Sequence, residues 1–485
     1  ISRACKSGYS MISLKDIKDD FPEDVTINGV TCDSREVKPG YIFVAIQGEK
    51  NRGEDFVYEA ISNGASAIVT SENSKLILDI PLIKDKNPRR YLSHISSTIY
   101  KNSPEIVCAI TGTNGKTSTT NFLQQIWSLM GLNSSSIGTL GIIGNEEIQD
   151  TNITTPDPVL LHQTLDRLSS ENITHLALEA SSHGLSQHRI DSVKVRAAGF
   201  TNISQDHLDY HKTMKDYFDA KKRLFTEILP KDSYSVICID TDEGRELSSI
   251  IKNSGKGVIE VGESANALNL RRIATTETGM EMIFQYSGRQ FSIPLKVEGY
   301  FQAMNILCAS GLAIASGSPS EKVFEHIKDL RPIPGRLEFC GLNKREAKIY
   351  VDYAHTPDAL TAVLFSLREL TEGRLIIVFG CGGGRDKFKR PIMGEIAENF
   401  ADIIIITDDN PRNEDPKDIR ESILKSCPSG IEIPGRKDAI IKAIDLGKKG
   451  DSVLIAGKGH EKFQIIGSKK TPFSDQETIR EAIGN

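Results

Sequence analysis

The chain has 485 residues, a formal net charge of -6, and hydrophobic and charged fractions of 39% and 26%. This length is too great for one hydrophobic core, and at ~100 to 200 residues per domain it indicates two to four domains. The negative balance excludes a general basic surface for nucleic acid, so an anionic ligand needs a local cluster of cations. No apolar run in the sequence approaches the ~20 residues that cross a bilayer.

The N-terminal segment predicts a small α/β domain over residues 1–103. We interpret residues 1–10, which precede Met11 and lack an apolar signal segment, as an extension outside the fold. Short β-like runs at 41–46 and 67–69 alternate with helical patterns. Ser34 and Arg35 precede a turn and could bind a diphosphate sugar, although a solvated loop is the simpler explanation of the pair. The eight cysteines contain no C-x-x-C pair, which argues against a zinc site and suits a reducing cytosol.

Residues 105–120, EIVCAITGTNGKTSTT, predict a phosphate-binding loop. A buried parallel strand over 106–110 is followed by Gly112 and Gly115, which allow successive backbone N–H groups to face an anion. Lys116 adds a positive charge, and Thr117 occupies the place of the hydroxyl that contacts magnesium in a P-loop. The spacing G-x-x-G-K-T is shorter than the general P-loop pattern, and the alternative is an ordinary strand-to-helix turn.

The central region, residues 104–334, carries further polar groups next to apolar runs. Glu179 follows a strand at 175–178, where a carboxylate could bind magnesium; the alternative is a solvated strand end. A strand at 199–203 leads to DHLDYH at 206–211, which suits either a metal cluster or loop hydrogen bonds. Lys221 lies on a predicted helix beside an apolar stripe, so it is either a desolvated, reactive amine or a surface lysine with a buried stem.

The C-terminal region, residues 335–485, predicts a second α/β unit. Four β-like runs at 348–353, 374–379, 403–407 and 453–456 each end in glycines, charges or histidines. A doubly wound sheet would gather these ends into one crevice. The glycine run at 380–384 does not match G-x-G-x-x-G, which argues against a dinucleotide-binding fold.

These motifs together resemble the Mur ligase family, ATP-dependent enzymes that add amino acids to the cytoplasmic peptidoglycan precursor. The resemblance covers nearly the whole chain from Met11 and implies three domains, 1–103 for the uridine nucleotide, 104–334 for ATP and 335–485 for the amino acid. It rests on TGTNGKT (111–117), TTPD (154–157), EASSHGLSQHR (179–189), DHLDYH (206–211), YFDAKKRLF (217–225), PGRLE (334–338), DYAHTPDAL (352–360), GCGGGRDKFKR (380–390), DNPR (409–412) and GKGHE (457–461).

The resemblance also implies roles for individual residues. The catalytic set is Lys116, Glu179, His207 and Lys221. ATP would be bound by Gly112, Thr113, Asn114, Gly115, Lys116, Thr117, Ser118, Asn305, Arg336 and Asp352. Magnesium would be bound by Thr117, Glu179, His207 and Lys221, the last modified to a carbamate (N6-carboxylysine). The muramoyl substrate would be bound by Ser34, Thr154, Thr155, Ser181, Gln187 and Arg189. The amino acid would be bound by Arg385, Asp409, Asn410, Pro411, Arg412, Gly457 and Glu461.

The implied reaction joins meso-2,6-diaminopimelate to the D-Glu carboxylate of UDP-N-acetylmuramoyl-L-Ala-D-Glu through an acyl phosphate made with ATP. Diaminopimelate carries one more carboxylate than L-lysine, and Arg412 supplies a planar cation suited to it. Arg412 could instead form an ion pair with Asp408 or Asp409. The alternatives are a lysine-adding ligase, a folylpolyglutamate synthase and a nucleotide-switch protein. We expect a cytoplasmic monomer that binds neither nucleic acid nor membrane.

One departure from the family pattern concerns the adenine side of the ATP site. Family members often have Phe-Asn where this chain has Phe301 and Gln302.

Overall fold

The computed structural model describes residues 12–18, 25–48, 51–144, 148–149, 153–276 and 279–484. The predicted extension, residues 1–10, lies outside this set. The fold divides into two compact units. Of the described residues, the first unit comprises those within 12–111, 131–198 and 220–233, and the second comprises those within 112–130, 199–219 and 234–484. The predicted domain boundaries after residues 103 and 334 stay a prediction. Among the described residues, no helix combines the length and apolar character needed to cross a membrane.

The elements are numbered in chain order. The strands are β1 (Ile12–Ser13), β2 (Thr26–Ile27), β3 (Gly29–Thr31), β4 (Tyr41–Val44), β5 (Ala65–Ser71), β6 (Leu82–Asp85), β7 (Ile106–Thr111), β8 (Ser134–Gly138), β9 (Gly141–Ile143), β10 (Ile148–Gln149), β11 (His175–Glu179), β12 (Ala197–Phe200), β13 (Tyr234–Cys238), β14 (Gly257–Gly262), β15 (Leu268–Thr276), β16 (Gly279–Tyr286), β17 (Arg289–Leu295), β18 (Glu338–Leu342), β19 (Lys348–Asp352), β20 (Leu375–Phe379), β21 (Ile403–Ile406), β22 (Ile431–Glu432), β23 (Ser452–Ala456), β24 (Phe463–Ile466) and β25 (Lys469–Pro472). The α-helices are α1 (Val57–Ser62), α2 (Pro88–Ile99), α3 (Lys116–Leu129), α4 (Pro158–Ser170), α5 (Ser182–Ser186), α6 (Leu208–His211), α7 (Met214–Arg223), α8 (Asp242–Asn253), α9 (Tyr300–Ala315), α10 (Ser320–Ile327), α11 (Pro357–Leu370), α12 (Lys389–Phe400), α13 (Pro416–Leu424), α14 (Arg436–Leu446) and α15 (Asp475–Ile483).

The first unit contains two parallel sheets. In one, β3, β4, β5 and β6 pair in chain order, and α2 packs its apolar face on their core. In the other, β8, β11 and β7 are parallel neighbours, and β9 and β10 extend this sheet in the antiparallel sense. The apolar runs of β7 and β11 are buried on both faces, as parallel strands under helices require. Glu179 ends β11 opposite Ile110 of β7, so its carboxylate lies at the carboxyl edge of the sheet.

The second unit contains the larger share of the described helices and two groups of parallel strands. Strands β13, β14 and β15 are parallel, and β15, β16 and β17 continue as an antiparallel meander. Helix α9 is buried over most of its circumference, which explains its near-continuous apolar sequence, and it packs against α3. In the C-terminal sheet the order is β18-β19-β23-β20-β21-β22, parallel from β19 onward. The four predicted C-terminal strands are therefore confirmed as neighbours in one parallel sheet.

One predicted strand is displaced. The sequence predicts a strand over 199–203, but β12 spans Ala197–Phe200. Thr201 and Asn202 bond to the loop that follows β7 instead of continuing the strand. The Thr201 hydroxyl donates to the carbonyl of Asn114 at 2.6 Å, and the N–H of Thr113 donates to the carbonyl of Asn202 at 2.9 Å. Side-chain and backbone bonds to a loop therefore end the strand early, which periodicity does not reveal.

Candidate active site

The phosphate-binding loop connects β7 to α3, as the sequence predicts. Within the second unit, the Lys116 ammonium donates to the carbonyls of Gly112 and Thr113 at 2.9 and 2.8 Å. Gly115 has φ of 83°, and a Cβ there would lie 2.3 Å from Oδ1 of Asn305. Only glycine combines this left-handed conformation with so close an approach. The loop thus has the backbone turn and the cation that an anionic phosphate requires.

A polar chain of side chains lines this loop in the second unit. Arg336 donates from Nη2 to the Thr117 hydroxyl at 3.1 Å, and its guanidinium lies 4.4 Å from the ring centroid of Tyr353. The fully buried Gln302 donates to the carbonyl of Arg336 at 3.1 Å and accepts from Asn305 at 3.0 Å. Gln302, the departure from the family pattern, therefore connects two predicted ATP-binding residues.

Asp352 ends β19 and fixes the backbone around Arg336. Its two carboxylate oxygens accept from the backbone N–H groups of Leu337 and Ala354, each at 2.6 Å. Burial raises the pKa of Asp352 to about 6, although the Arg336 charge and the two backbone bonds act in the opposite direction. The bond to Leu337, whose φ is 49°, stabilises the unusual backbone next to Arg336.

The predicted metal cluster at 206–211 is not formed as a dense group of ligands. His207 Nε2 lies 3.4 Å from Oδ2 of Asp206, and Asp206 also lies near His355 and Lys389. Although burial acts to raise it, these positive or proton-bearing neighbours lower the pKa of Asp206. Within the described ranges, no group of three or more histidine, cysteine, aspartate or glutamate side chains could hold a metal ion. Asp206 Oδ1 accepts a loop hydrogen bond from the N–H of His207 at 2.8 Å, and the role of His207 toward magnesium stays a prediction.

Glu179 is fully buried in the first unit, so the alternative of a solvated strand end is wrong. Its Oε1 accepts from the N–H of Thr139 at 2.8 Å, and its Oε2 accepts from the Thr139 hydroxyl at 3.1 Å. The Thr139 hydroxyl is also 3.1 Å from that of Thr154. The two bonds from Thr139 fix the position of this carboxylate at the end of β11, and its role toward magnesium stays a prediction.

Predicted substrate-binding residues meet at the amino end of α5 in the first unit. The Thr155 hydroxyl donates to the carbonyl of Glu179 at 2.8 Å and accepts from the N–H of Ser181 at 2.9 Å. Arg189 donates from Nη1 to the carbonyl of Thr155 at 2.6 Å and from Nη2 to Oε1 of Gln187 at 2.7 Å. Four of the six predicted muramoyl-binding residues therefore form one bonded group.

Ser34 has a different partner. Its buried hydroxyl donates to Glu59 Oε2 at 2.5 Å, between the helical turn that follows β3 and helix α1. Arg35 pairs with Asp33 and is largely exposed, as expected of a solvated loop.

Lys221 is buried, with 1% of its surface exposed, so the alternative of a surface lysine is wrong. It lies near the end of α7, and the predicted apolar stripe of Tyr217, Leu224 and Phe225 is buried beside it. Two residues later, Arg223 Nη2 donates to Asp191 Oδ2 at 2.6 Å. Burial acts to raise the pKa of Asp191, but bonds from His188 and Arg223 hold it below its usual value.

His188 connects this group to the N-terminal part of the first unit. Its Nδ1 lies 2.8 Å from Asp191 Oδ2, and its Nε2 lies 2.9 Å from Nδ2 of Asn87. Because the Asn87 carbonyl oxygen caps α2 by accepting from Arg90, the Asn87 amide donates to His188. His188 has φ of 56° and stands between Gln187 and Arg189. The sequence did not predict a role for this residue, because Asn87 lies 101 positions away and a histidine near an aspartate such as Asp191 is common on protein surfaces.

The carboxyl ends of β20, β21 and β23 carry the predicted amino-acid-binding residues. Arg412 donates from Nη1 to the carbonyl of Gly383 at 2.9 Å. The alternative ion pair of Arg412 with Asp408 is not formed, because Asp408 pairs with Arg420. Arg385 lies 4.0 Å from Asp209, and both side chains are substantially exposed. The role of Arg412 toward a ligand carboxylate stays a prediction.

Asp409, Gly457 and Glu461 lie close together across two of these strand ends. Gly457 has φ of 112°, and a Cβ there would lie 2.6 Å from Oδ2 of Asp409. Asn410 Nδ2 donates to Glu461 Oε2 at 2.8 Å. The structure therefore brings together the DNPR and GKGHE segments that the sequence separates, and their role toward a ligand stays a prediction.

Comparison with protein families matches three consecutive parts of the chain. The model described as Mur ligase family, catalytic domain, matches residues 26–126. The Mur ligase middle domain matches residues 110–313, and the Mur ligase glutamate ligase domain matches residues 335–459. The predicted α/β architecture with N-terminal, middle and C-terminal Mur ligase domains is thereby confirmed.

Individual relatives extend the match over nearly the full length. The UDP-N-acetylmuramoyl-L-alanyl-D-glutamate--2,6-diaminopimelate ligase of Rhizobium meliloti (strain 1021) is 43% identical over 460 residues, covering 95% of each chain. A solved structure of a ligase with the same name gives a TM-score of 0.71 at 29% identity, covering 98% of this chain and 99% of that chain. The MurF ligase of Thermotoga maritima in complex with ADP gives a TM-score of 0.64 at 19% identity, covering 90% and 96%, and shares the fold. The chain belongs to the Mur ligase family.

Proposed function

We propose that this protein is an ATP-dependent ligase that joins meso-2,6-diaminopimelate to the D-Glu γ-carboxylate of UDP-N-acetylmuramoyl-L-Ala-D-Glu in peptidoglycan biosynthesis. The observation that carries the proposal is 43% identity, over 95% of both chains, to a relative named for that reaction. The phosphate-binding loop and the buried polar groups described above supply the chemistry. We place the reaction in the cytoplasm, with the protein acting as a monomer.

The reaction needs an activated carboxylate, because a carboxylate does not condense with an amine at neutral pH. The D-Glu γ-carboxylate attacks the γ-phosphorus of ATP, giving an acyl phosphate and ADP. Such a transfer asks the protein mainly for positioning and charge neutralisation. In this proposal Lys116, whose ammonium donates to the loop carbonyls of Gly112 and Thr113, binds the transferred phosphate oxygens.

The second step forms the amide bond. The neutral amine of the amino acid adds to the acyl carbon, and the tetrahedral intermediate loses inorganic phosphate and a proton. Water competes for the acyl phosphate, so the site must exclude it. In this proposal Thr154, Thr155, Ser181, Gln187 and Arg189 orient the muramoyl-dipeptide.

Magnesium is the proposed metal cofactor, with the ligands that the family resemblance implies. The candidate ligands are Thr117, Glu179, His207 and a carbamate on Lys221, and Mg²⁺ prefers hard oxygen ligands such as a carboxylate. The buried Glu179 accepts hydrogen bonds from the backbone and hydroxyl of Thr139, and its carboxylate supplies oxygen atoms of the kind that Mg²⁺ prefers. Carbamate formation consumes CO₂, releases a proton and converts the buried Lys221 amine into an anionic oxygen ligand. The ion would neutralise phosphate charge.

Arg412 is the proposed determinant of amino-acid choice. Its guanidinium makes one bond to the Gly383 carbonyl, and Asp408 has Arg420 as its partner. If lysine bound in place of diaminopimelate, the guanidinium would lack its carboxylate, at a cost of about 1 to 3 kcal/mol. A site built to bind a polar group rejects an analogue that lacks it.

The proposal is tested by phosphate release with ATP, magnesium and UDP-N-acetylmuramoyl-L-Ala-D-Glu, comparing meso-diaminopimelate with L-lysine. We expect turnover with diaminopimelate and little with lysine. Turnover with lysine alone would overturn the specificity and retain the ligase chemistry. Phosphate release at the same rate with and without either amino acid would favour the nucleotide-switch alternative.

A further inference from the structure

Lys458 is a buried lysine that the predicted ligand set does not include. It follows β23 by two positions, and none of its side-chain surface is exposed. Its ammonium donates to Glu461 Oε2 at 2.9 Å and to Asn410 Oδ1 at 3.1 Å. A buried ammonium is strongly unfavourable unless paired, so these two bonds define where Lys458 and its partners must lie.

The two partners of Lys458 also bond to each other. Asn410 donates from Nδ2 to the same Glu461 Oε2 at 2.8 Å, and its Oδ1 also accepts from the N–H of Ile465 at 2.9 Å. The three side chains therefore close a triangle that connects the segment after β21, the segment after β23 and, through Ile465, strand β24. Hydrogen bonds of charged groups in such a network are the stronger kind and restrict rotation.

We infer that Lys458 is a positioning residue for the incoming diamino acid, an inference that rests on the proposed function. Both donors of the triangle bond to Oε2 of Glu461, and the Glu461 side chain is 30% exposed, so its carboxylate could also bind a ligand ammonium. Lys458 itself is fully buried and acts through Glu461 and Asn410. It fixes the rotamers of two proposed ligand-binding side chains before the ligand arrives.

The same geometry predicts which kinetic constant depends on Lys458. Replacement by methionine keeps the length and apolar stem and removes the charge and the donors. Glu461 then keeps one neutral donor, and both it and Asn410 gain rotational freedom. Binding of the amino acid must then supply the lost order, so its KM rises. The phosphate loop makes no bond with the triangle among the described residues, so the KM for ATP is expected to stay unchanged.

The first experiment measures Lys458→Met in the full chain. We expect the KM for diaminopimelate to rise tenfold or more, with the KM values for ATP and the muramoyl substrate within twofold of wild type. Lys462→Met is the matched control, because Lys462 is an exposed lysine next to Glu461, and it should leave all three values unchanged. An unchanged KM for diaminopimelate, or an equal rise for all three substrates, overturns the inference.

A double-mutant cycle separates positioning from a general structural role. If Lys458 acts through Glu461, then Lys458→Met should raise the KM little further in a Glu461→Gln background. Multiplying effects would overturn the inference. Should Lys458→Met be unfolded at the assay temperature, Lys458→Gln, which keeps a donor without the charge, replaces it with the same expected KM pattern. If the wild-type protein shows no turnover with diaminopimelate, the proposed function is overturned together with this inference. If the wild type is active, the variants test Lys458 alone.

Discussion

The phosphate-binding loop and the C-terminal strand ends hold their lysines in opposite ways. Lys116 bonds to carbonyls three and four positions earlier in its own loop. Lys458 bonds to Glu461, three positions later, and to Asn410, 48 positions earlier, and the C-terminal sheet is what brings the Asn410 segment to it. A local loop carries its geometry in its sequence, whereas the C-terminal network exists only after β21 and β23 have been brought together.

This difference predicts different consequences of mutation. Lys116 is partly exposed and bonds to carbonyls of its own loop. The loss of its side chain should therefore affect chemistry more than folding. The C-terminal network is buried and charged, so the loss of one member leaves another charge without its partner. The predictions below test that contrast.

Lys116→Met should give the largest change in activity. We expect kcat to fall about a thousandfold, because a donor to the transferred phosphate is lost, with little change in the free energy of unfolding. Steady-state phosphate release and urea denaturation measure the two effects. Lys101→Met, at an exposed position, is the control for loss of a lysine. A large loss of stability in Lys116→Met would contradict the local character of the loop.

Arg436→Met should give the largest change in stability. Arg436 and Asp475 are both fully buried, and the guanidinium bonds to Asp475 at 2.7 and 2.8 Å and to the carbonyl of Ala456 at 3.0 Å. Removing one partner leaves an unpaired buried charge, so we expect the free energy of unfolding to fall by about 3 to 5 kcal/mol.

Lys437 provides the matched control for that measurement. It pairs with Glu481 at 2.7 Å, with both side chains more than half exposed. Lys437→Met should therefore change stability by no more than about 1 kcal/mol. Equal effects of the two substitutions would show that the buried pair does not organise the end of β23.

The same contrast explains how far the sequence predicts the structure. The apolar run of β7 and the glycines around Lys116 define a strand and a loop by local pattern, and both were predicted. The position of Glu179 at the end of a buried strand was predicted, because the carboxylate directly follows an apolar run in the sequence. Arg436 and His188 were not, because their partners, Asp475 and Asn87, lie 39 and 101 positions away. Nothing in the local sequence distinguishes them from surface residues.

Arg412→Ala should have a smaller and more selective effect than Lys116→Met. We expect the KM for diaminopimelate to rise about tenfold to a hundredfold, as for a lost charged hydrogen bond, with the KM for ATP unchanged. The bond from Arg412 to Gly383 is to a backbone carbonyl, so its loss should affect stability little. Equal increases in both KM values would remove Arg412 from the amino-acid site.

His162 contrasts with the paired buried side chains of the C-terminal region, because its Nε2 is buried without a hydrogen-bond partner among the described residues. It lies on α4 with 3% of its surface exposed. Burial lowers the pKa of His162 to about 4. Since the unfolded chain binds this proton near pH 6.5, stability is complete above that pH and is lost as the pH falls toward 4.

The expected loss from His162 between pH 7.5 and 5.5 is about 1 kcal/mol in the free energy of unfolding. Urea denaturation at the two pH values measures it, and His162→Leu should remove that share of the pH dependence. His94→Gln, at an exposed position, should retain it. An unchanged pH dependence in His162→Leu would mean that the folded protein protonates this imidazole as readily as the unfolded chain. The burial of an unpartnered imidazole would then cost less free energy than the buried charges around Lys458 lead us to expect.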